Sequence, residues 1–176
     1  MEKVILVDEN DKETGVEEKI KAHKDGKLHR AFSIFVFNSK GELLLQKRAK
    51  EKYHSGGLWS NTCCGHPRPN ESLEGAAHRR LKEEMGFECA LVHLKSAGFI
   101  YKVKVNDLFE YEYDHIFVGK FDQDPRPNPQ EVEDYKWINQ NELKKDISSN
   151  PDKYTYWFKA SANKVINAAI KNFCNF

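Results

Sequence analysis

The segment 59–87 brings together side chains whose types and spacing could carry acid–base or metal chemistry. Cys64 and His66 flank Gly65, and the carboxylates Glu71 and Glu84 follow further along the chain. A thiol can act as a nucleophile or proton donor, an imidazole can bind a metal, and a carboxylate can take part in either chemistry. We therefore expect a reactive or metal-binding site built around this segment.

The spacing in this segment resembles the Nudix box. Five residues separate Gly65 from Glu71, seven separate Glu71 from Arg79, and the chain then reads Arg-Arg-Leu-Lys-Glu-Glu-Met-Gly-Phe. The box has a glutamate directly after its arginine, whereas this chain has Arg80 there. The resemblance implies a Nudix fold, and the one departure bears on which reaction the fold supports.

Residues 72–86 have the pattern of an amphipathic helix. Ser72 can serve as its N-cap, and Gly86 suits the position after the last turn. Arg80 and Glu84 fall on the apolar side of the helix, whose other members are Leu73, Ala77 and, at the edge, Leu81. One interpretation is that these two charged groups pair with each other at the helix edge, as an i,i+4 ion pair, and contact nothing else. The glycine and glutamate that precede them at box spacing favour contact with a metal or an anion instead.

Length, charge and cysteine content narrow the class of protein. A chain of 176 residues suits one domain, and a net charge of +1 gives no reason to expect nucleic acid or an anionic membrane as a partner. The cysteines form no CxxC pair and no secreted-type framework; they are Cys63, Cys64, Cys89 and Cys174. The acidic N-terminal residues do not resemble a signal peptide, and no apolar run reaches the ~18 residues of a membrane span. We expect a cytoplasmic protein with reduced thiols.

Hydrophobic patterns and turn residues predict mixed strands around a few helices. The predicted strands are 4–8, 31–37, 43–48, 58–64, 97–105, 110–121 and 132–138. Besides the helix over 72–86, we predict a short helix over 142–147 and a C-terminal helix capped by Asp152 that runs to about Asn172. The fold class is therefore α/β (α+β), a sandwich with a mixed sheet, formed by a single domain over residues 1–176.

Glu110 and Glu112 alternate with aromatic residues in one predicted strand, so both carboxylates lie on the same face of that strand. The Cα atoms of the two glutamates are then about 6–7 Å apart. This face could be the wet side of an edge strand. If it lines a cleft, the pair needs a counter-charge, which a metal could supply. Three imidazoles with two carboxylates would suit a divalent first-row ion. Spacing alone does not select three of the seven histidines.

Two further residues have both a structural and a chemical interpretation. In an extended segment, Cys64 and His66 point to one side and Cys63 to the other, so Cys63 suits a small buried hydrophobic role. Trp157 lies in the predicted C-terminal helix, where core packing is its simplest role. An indole face could also stabilise a cation.

These residues together resemble the type I isopentenyl-diphosphate isomerase family, which has a Nudix fold. The resemblance covers nearly the whole chain. It rests on Glu18-Lys19, Ala22-His23, Leu28-His29-Arg30-Ala31-Phe32, Gln46-Lys47-Arg48-Ala49, Trp59-Ser60-Asn61-Thr62-Cys63-Cys64-Gly65-His66-Pro67, Arg79-Arg80, Glu84-Met85-Gly86, Glu110-Tyr111-Glu112 and Trp157. Cys-Gly-His-Pro and Glu-x-Glu are specific to that family within the Nudix superfamily, and Arg-Arg is expected in its box.

The resemblance implies interconversion of isopentenyl and dimethylallyl diphosphate through a tertiary carbocation. It assigns catalytic roles to Cys64, Glu112, Tyr101 and Trp157. It assigns diphosphate binding to Lys19, Arg48, Lys52 and Arg80, with Lys50 as the other candidate near Lys52. It places one Mn²⁺ or Mg²⁺, or alternatively Zn²⁺, on His23, His29, His66, Glu110 and Glu112, and a substrate-bridging Mg²⁺ on Glu84. A small-molecule substrate and a monomer or weak dimer are expected; the alternatives are a Nudix pyrophosphohydrolase and a non-catalytic metal-stabilised binding module.

Overall fold

The computed structural model describes residues 1–52 and 54–173, so Cys174 lies outside the described residues. The strands are β1 Lys3–Val7, β2 Glu13–Glu18, β3 His29–Phe37, β4 Leu43–Arg48, β5 Trp59–Ser60, β6 Cys63–Gly65, β7 Leu91–His93, β8 Phe99–Val105, β9 Leu108–Lys120 and β10 Val132–Ile138. The helices are α1 Lys19–Asp25, α2 Leu73–Met85, α3 Gln140–Ser149 and α4 Tyr156–Phe173.

Strand β3 organises the mixed sheet because it pairs with neighbours along both edges. It runs parallel to β9, from the pair His29↔Glu112 to the pair Phe37↔Lys120. On its other edge it pairs antiparallel with β6, where Ser33 faces Cys64. An apolar run that is buried on both faces suits this central position, and residues 31–37 are all buried. Strands β6 and β9 therefore flank β3.

Alternate residues of the central strands enter two cores, one on each face of the sheet. Phe35 and Phe37 pack with the side chains of α4, whereas Phe32, Ile34 and Val36 pack with those of α2. Helices thus cover both faces, which confirms the predicted α/β/α sandwich with a mixed sheet.

The hairpin predicted between β3 and β4 forms only at its base. The two strands pair at Phe37↔Leu43. Beyond that point the Thr62 hydroxyl accepts from the amide of Val36 at 2.9 Å and donates to the carbonyl of Leu44 at 2.7 Å. The Thr62 side chain therefore lies between β3 and β4 and keeps them apart. Strand β6 pairs with the edge of β3 that this leaves open, which places Cys64 beside the central strand.

The loop after β9 is held against the C-terminal end of α2. The amides of Arg126 and Asn128 donate to the carbonyls of Met85 and Glu84 at 3.0 and 2.9 Å. Gly86 has a φ of 73°, and a Cβ there would lie 2.1 Å from the Arg126 carbonyl oxygen, so only glycine fits. This docking carries Glu131 toward the same side of the sheet as α2's charged residues.

Several predicted boundaries require correction. A 3-10 turn over Lys95–Ala97 delays β8 to Phe99, and another over Pro151–Lys153 contains Asp152, so that residue does not cap α4. The sequence patterns missed β2 because it is mostly exposed, and they missed α1 because it has only 7 residues. Among the described residues, no helix has both the length and the apolarity needed to cross a bilayer.

Candidate active site

Most of the predicted site residues line one pocket between β9, the loops beside β3 and the start of α4. They are Lys19, Arg48, Lys52, Cys64, His66, Arg80, Glu84, Tyr101, Glu110, Glu112 and Trp157. The two exceptions, His23 and His29, lie next to His66, with ring centroids 5.6 and 5.0 Å from it. The fold therefore gathers residues from all parts of the chain at one place, although their individual roles stay predictions.

Three imidazoles and one carboxylate converge beside the pocket. One nitrogen from each of His23, His29 and His66 and one oxygen from Glu112 lie within 4.8 Å of one another. His66 Nε2 is 2.9 Å from Glu112 Oε1, and His29 Nε2 is 3.6 Å from the same oxygen. His23 Nε2 lies 3.6 Å from Glu110 Oε1. This is a donor set that could hold a divalent ion.

Hydrogen bonds to the backbone behind the cluster orient two of its rings. Nδ1 of His23 lies 2.7 Å from the carbonyl oxygen of Lys19, and Nδ1 of His29 lies 2.8 Å from that of Lys27. Carbonyl oxygens only accept, so each Nδ1 carries a hydrogen and the Nε2 of each ring faces the carboxylates. His29 Nε2 is buried and has no hydrogen-bond partner among the described residues.

A buried imidazole nitrogen and a buried carboxylate oxygen that lack hydrogen-bond partners are unfavourable, and a metal cation between them would satisfy both. Backbone carbonyls that orient metal-binding histidines in this way are a common feature of metal sites. Burial lowers the pKa of His66 to about 4, which keeps this third imidazole neutral and able to bind a metal at neutral pH. The residues present thus fit a divalent ion.

Glu110 and Glu112 belong to the interior of the sheet, so the wet-edge interpretation is wrong. Strand β9 pairs with β3 on one side and with β8 on the other, and the two glutamates are 2% and 7% exposed. Tyr101, opposite Glu112 in the β8–β9 register, donates to Glu112 Oε2 at 2.6 Å. Burial raises the pKa of Tyr101 well above its usual value, so the phenol keeps this hydrogen.

The adjacent cysteines face opposite sides of β6, as strand alternation predicts. Cys63 is buried in the core against α2, whereas Cys64 lines the pocket. Burial raises the pKa of the Cys64 thiol to about 12, so it carries its proton at neutral pH. Cys64 and Glu112 stand on the two strands that flank β3, and both line the pocket, so two side chains that are able to carry a proton face the same space.

Carboxylates balance the basic residues of the pocket. Lys19 Nζ is 3.0 Å from Glu2, and Arg80 Nη2 is 3.3 Å from Glu131. Lys52 also pairs with Glu131. Lys52 lines the pocket, whereas the Lys50 side chain is 73% exposed and lies 3.6 Å from Glu133, so only Lys52 could contact a bound anion here. An anion entering the pocket would compete with Glu2 and Glu131 for these cations.

Arg80 and Glu84 form the i,i+4 pair that the helix pattern allowed, yet both also line the pocket. Glu84 is 3% exposed and accepts from Gln46 Nε2 at 2.7 Å. Glu71 instead accepts from Arg79 Nη2 at 2.8 Å and does not line the pocket. The first glutamate of the box therefore braces the start of α2, and the last one faces the pocket.

Trp157 packs in the core and also lines the pocket. It is 3% exposed within the α4 core, and its Nε1–H donates to Ser60 Oγ at 3.0 Å. It also lines the pocket, with the Arg48 guanidinium carbon 5.3 Å from its ring centroid. The indole is thus packed, oriented and accessible to a ligand in the pocket.

Sequence reasoning missed several residues of the site. His54 and Glu131 line the pocket from loops, where no regular spacing marked them. Asp114 continues the face of β9 that carries Glu110 and Glu112, as strand alternation predicts, but it does not line the pocket. It is buried and accepts from Ser33 Oγ at 2.8 Å. Burial and the nearby Glu112 charge raise the pKa of Asp114 well above its usual value.

Comparisons with known proteins agree with this geometry. Residues 27–158 match the model of the NUDIX domain. The chain is 57% identical to isopentenyl-diphosphate Delta-isomerase 2 of Photorhabdus laumondii over 165 residues, covering 93% of this chain and 90% of that protein. It is 55% identical to isopentenyl-diphosphate Delta-isomerase 1 of Aromatoleum aromaticum, covering 94% and 93%.

Solved structures show the same fold at low sequence identity. The DR0079 protein of Deinococcus radiodurans superposes with a TM-score of 0.68 at 18% identity, covering 85% of this chain and 90% of that one. The MutT protein of Methanosarcina mazei gives a TM-score of 0.65 at 20% identity, covering 82% and 96%. The Nudix fold and the full-length relatives together place the chain in the isopentenyl-diphosphate Delta-isomerase family of NUDIX-domain proteins.

Proposed function

We propose that this protein interconverts isopentenyl diphosphate and dimethylallyl diphosphate. The observation that carries the proposal is the placement of Cys64 and Glu112 on the two strands that flank β3, facing one pocket. This pair occurs in a chain with full-length relatives that are isopentenyl-diphosphate Delta-isomerases. A double-bond shift requires one proton to be added and another removed, and two acid–base groups supply both steps.

The proton transfers follow from the chemistry of an unactivated alkene. Protonation of one terminal carbon gives a tertiary carbocation, and loss of a proton from the neighbouring position gives the isomer. Cys64 and Glu112 each handle one of these protons and exchange roles in the reverse reaction. The Tyr101 hydroxyl donates a hydrogen bond to Glu112 at 2.6 Å and so orients that carboxyl group.

Basic residues that line the pocket would hold the diphosphate. They are Lys19, Arg48, Lys52 and Arg80, and Glu84, the proposed holder of a substrate-bridging Mg²⁺, lines the same pocket. An arginine can bind two phosphate oxygens at once, and Arg80 stands on the pocket side of α2. Binding at this end orients the hydrocarbon end toward Cys64 and Glu112.

His23, His29, His66, Glu110 and Glu112 would hold one divalent ion, for which we propose Mn²⁺ or Mg²⁺, with Zn²⁺ as the alternative. Such an ion, when bound, makes a protonated carboxyl ligand more acidic. The residues themselves hold Glu112 in place from three sides: His66, His29 and Tyr101.

The apolar wall of the pocket would protect the carbocation. Trp157 can stabilise positive charge by about 2 kcal/mol or more in a desolvated site. Water has to be excluded because it would trap the cation as an alcohol. Trp157 and Tyr101, which are 3% and 7% exposed, leave little room for solvent on their side.

We further propose that residues 1–176 form a single catalytic domain that works in the cytoplasm as a monomer or weak dimer. Its partner is the small diphosphate substrate; neither nucleic acid nor a membrane is expected to bind. The alternative function, nucleotide pyrophosphohydrolysis, would account for the box helix but not for Cys64 or the Glu110–Glu112 pair.

Proton NMR of the purified protein with isopentenyl diphosphate tests the proposal. The expected result is conversion of the exomethylene resonances into those of the dimethylallyl isomer, with the diphosphate intact. Release of phosphate would favour the hydrolase. Retention of unchanged substrate in the presence of Mg²⁺ and Mn²⁺ would favour a non-catalytic binding module.

A further inference from the structure

We propose that Ser60 is a positioning residue for Trp157, whose indole N–H it holds behind the wall of the pocket. The inference rests on the isomerisation proposed above, in which the indole face stabilises a carbocation. Ser60 and Asn61 stand between Trp59 and Cys64 in the sequence, and only Cys64 takes part in the proposed proton transfers. The first half of this motif thereby acquires a role in the same reaction.

The side-chain amide of Asn61 fixes the direction of the hydrogen bonds around Ser60. Asn61 Nδ2 lies 2.7 Å from the carbonyl oxygen of Cys63 and 3.2 Å from that of Ile34. Both carbonyls only accept, so the atom that faces them is the nitrogen, and the amide oxygen is turned toward Ser60. The Ser60 hydroxyl donates its one hydrogen to this oxygen at 2.9 Å. The Ser60 oxygen is therefore left with two lone pairs, which can only accept.

Two donors occupy these lone pairs of Ser60. The indole nitrogen of Trp157, which can only donate, lies 3.0 Å from Ser60 Oγ. The Thr155 hydroxyl lies 3.0 Å from the same oxygen, and Thr155 is the donor because the Ser60 hydrogen is already given to Asn61. Ser60, Asn61 and Thr155 are all buried. Rotation of the indole would leave a buried N–H without a partner, which is unfavourable, so the ring keeps one orientation.

The orientation of the indole matters because an aromatic ring is not electrically uniform. Its faces are negative, whereas its edge, which includes the N–H, is positive. A cation is attracted over the face of the ring, and the positive edge repels it. Trp157 lines the pocket, but its partner Ser60 does not, and neither do Asn61 and Thr155. The N–H is therefore given to a residue behind the pocket wall and is kept away from a carbocation in the pocket.

The main chain also ties this segment to the start of α4. The amide of Thr155 donates to the carbonyl of Trp59 at 2.9 Å. Ser60 itself belongs to the sheet, where it pairs with Gln46 in the register of β4 with β5. The acceptor of the indole hydrogen therefore stands on the sheet and the indole stands on the helix, and main-chain contacts hold the two elements at a fixed separation.

Two buried serines provide a matched pair of variants. Ser60→Ala removes the acceptor of the indole hydrogen. Ser161→Ala removes a buried hydroxyl from the same helix as Trp157, where it donates to the main-chain carbonyl of Trp157 at 2.8 Å and accepts nothing from the ring. Trp157→Phe has an aromatic ring but no N–H, so it shows what Ser60 contributes when this hydrogen bond is absent.

The first measurement is the ¹H–¹⁵N resonance of the Trp157 indole N–H, which is assigned by its loss in Trp157→Phe. In Ser60→Ala we expect the proton resonance to move upfield, because a hydrogen bond deshields the proton. In Ser161→Ala it should stay in place. This readout needs neither substrate nor metal. A resonance that does not move in Ser60→Ala would overturn the proposal, because the N–H would then have no bond to Ser60 in solution.

The second measurement is steady-state isomerisation in a double-mutant cycle. We expect Ser60→Ala to lower kcat about three- to tenfold, the effect of one ordinary hydrogen bond, and to leave KM within about twofold. In the Trp157→Phe background the same change should lower kcat by less than about twofold, because the N–H is already gone. Ser161→Ala should leave kcat unchanged. Equal losses of kcat in the two backgrounds would overturn the positioning role and reduce Ser60 to a structural residue.

The two measurements separate this inference from the proposed function. A parent protein that does not isomerise isopentenyl diphosphate would overturn the function and, with it, the catalytic use of the indole. A parent that isomerises the substrate, with a Ser60→Ala variant that is equally active, would overturn only the role of Ser60. If Ser60→Ala fails to fold, Ser60→Cys replaces it in both measurements, because a thiol is close to a hydroxyl in shape and accepts only weakly.

Discussion

The Tyr101 hydroxyl donates a 2.6 Å hydrogen bond to Oε2 of Glu112, and the two residues face each other as a register pair of β8 and β9. The other oxygen of Glu112 faces His66 and His29. One carboxylate thus has a phenol on one oxygen and imidazoles on the other, so its two oxygens have separate environments.

Tyr101→Phe removes the phenol and leaves the ring. Because a hydrogen bond to a charged group contributes about 1.5–3 kcal/mol, we expect kcat to fall about 10- to 100-fold. KM should change little, since the Tyr101 hydroxyl donates its hydrogen bond to Glu112 and not to a residue proposed to hold the diphosphate. Steady-state kinetics checks this, and a variant with unchanged kcat would show that Glu112 needs no help from the phenol.

Cys64→Ala should abolish most isomerisation, whereas Cys63→Ala should retain it. The two thiols face opposite sides of β6, and the loss of an acid–base group costs about 10²- to 10⁴-fold in rate. Cys63 is fully buried, so its variant should lose some stability but little activity. Rates measured on folded protein, checked by thermal unfolding, test the assignment; similar losses in both variants would contradict it.

His29→Ala and His66→Ala should each reduce the bound first-row metal to less than one ion per chain. Glu84→Gln should leave that metal in place but raise the Mg²⁺ concentration needed for turnover, because Glu84 lies on the box helix away from the imidazoles. Elemental analysis and Mg²⁺ titrations provide the measurements. Full metal occupancy in both histidine variants would mean that the ligand set is wrong.

Trp157→Phe should keep more activity than Trp157→Leu. A phenyl ring retains a weaker cation-stabilising face, and loss of the aromatic face should cost about 2 kcal/mol, or roughly 30-fold in rate. Both variants lose the 3.0 Å hydrogen bond to Ser60, so each serves as the stability control for the other. Equal activity and equal stability of the two would reduce Trp157 to a packing residue.

Hydrolysis of nucleoside diphosphate derivatives should be negligible. Metal-assisted hydrolysis requires carboxylates on the inward side of the box helix to hold ions that neutralise the diphosphate and activate water. Arg80 takes one of these positions, where a guanidinium repels metal ions and attracts phosphate oxygens. Arg80→Glu should weaken diphosphate binding and raise hydrolysis.

The measurement for this last prediction is phosphate or nucleotide release from a panel of nucleotide sugars and dinucleotides, with and without Mn²⁺. The parent protein with isopentenyl diphosphate provides the reference rate. Release from any panel member that is faster than isomerisation would replace the isomerase by the hydrolase as the function.

Local sequence determined the features that depend on spacing within one element. The helical period put Arg80 and Glu84 on the inward side of α2, and the strand period separated Cys63 from Cys64 and joined Glu110 to Glu112. The caps Ser72 and Gly86 marked the ends of α2 to within a residue of where the structure has them. The resemblance carried by the motifs added His23, His29 and His66 as ligand candidates, which spacing alone did not select.

Only the tertiary structure decided which distant residues meet. The parallel register of β3 with β9 brings His29 opposite Glu112, and no local pattern encodes that pairing. Loops delivered His54 and Glu131 to the pocket, because a loop's course depends on what it packs against rather than on its own periodicity. Local rules act over a few residues, whereas the site is assembled by contacts between residues far apart in the chain.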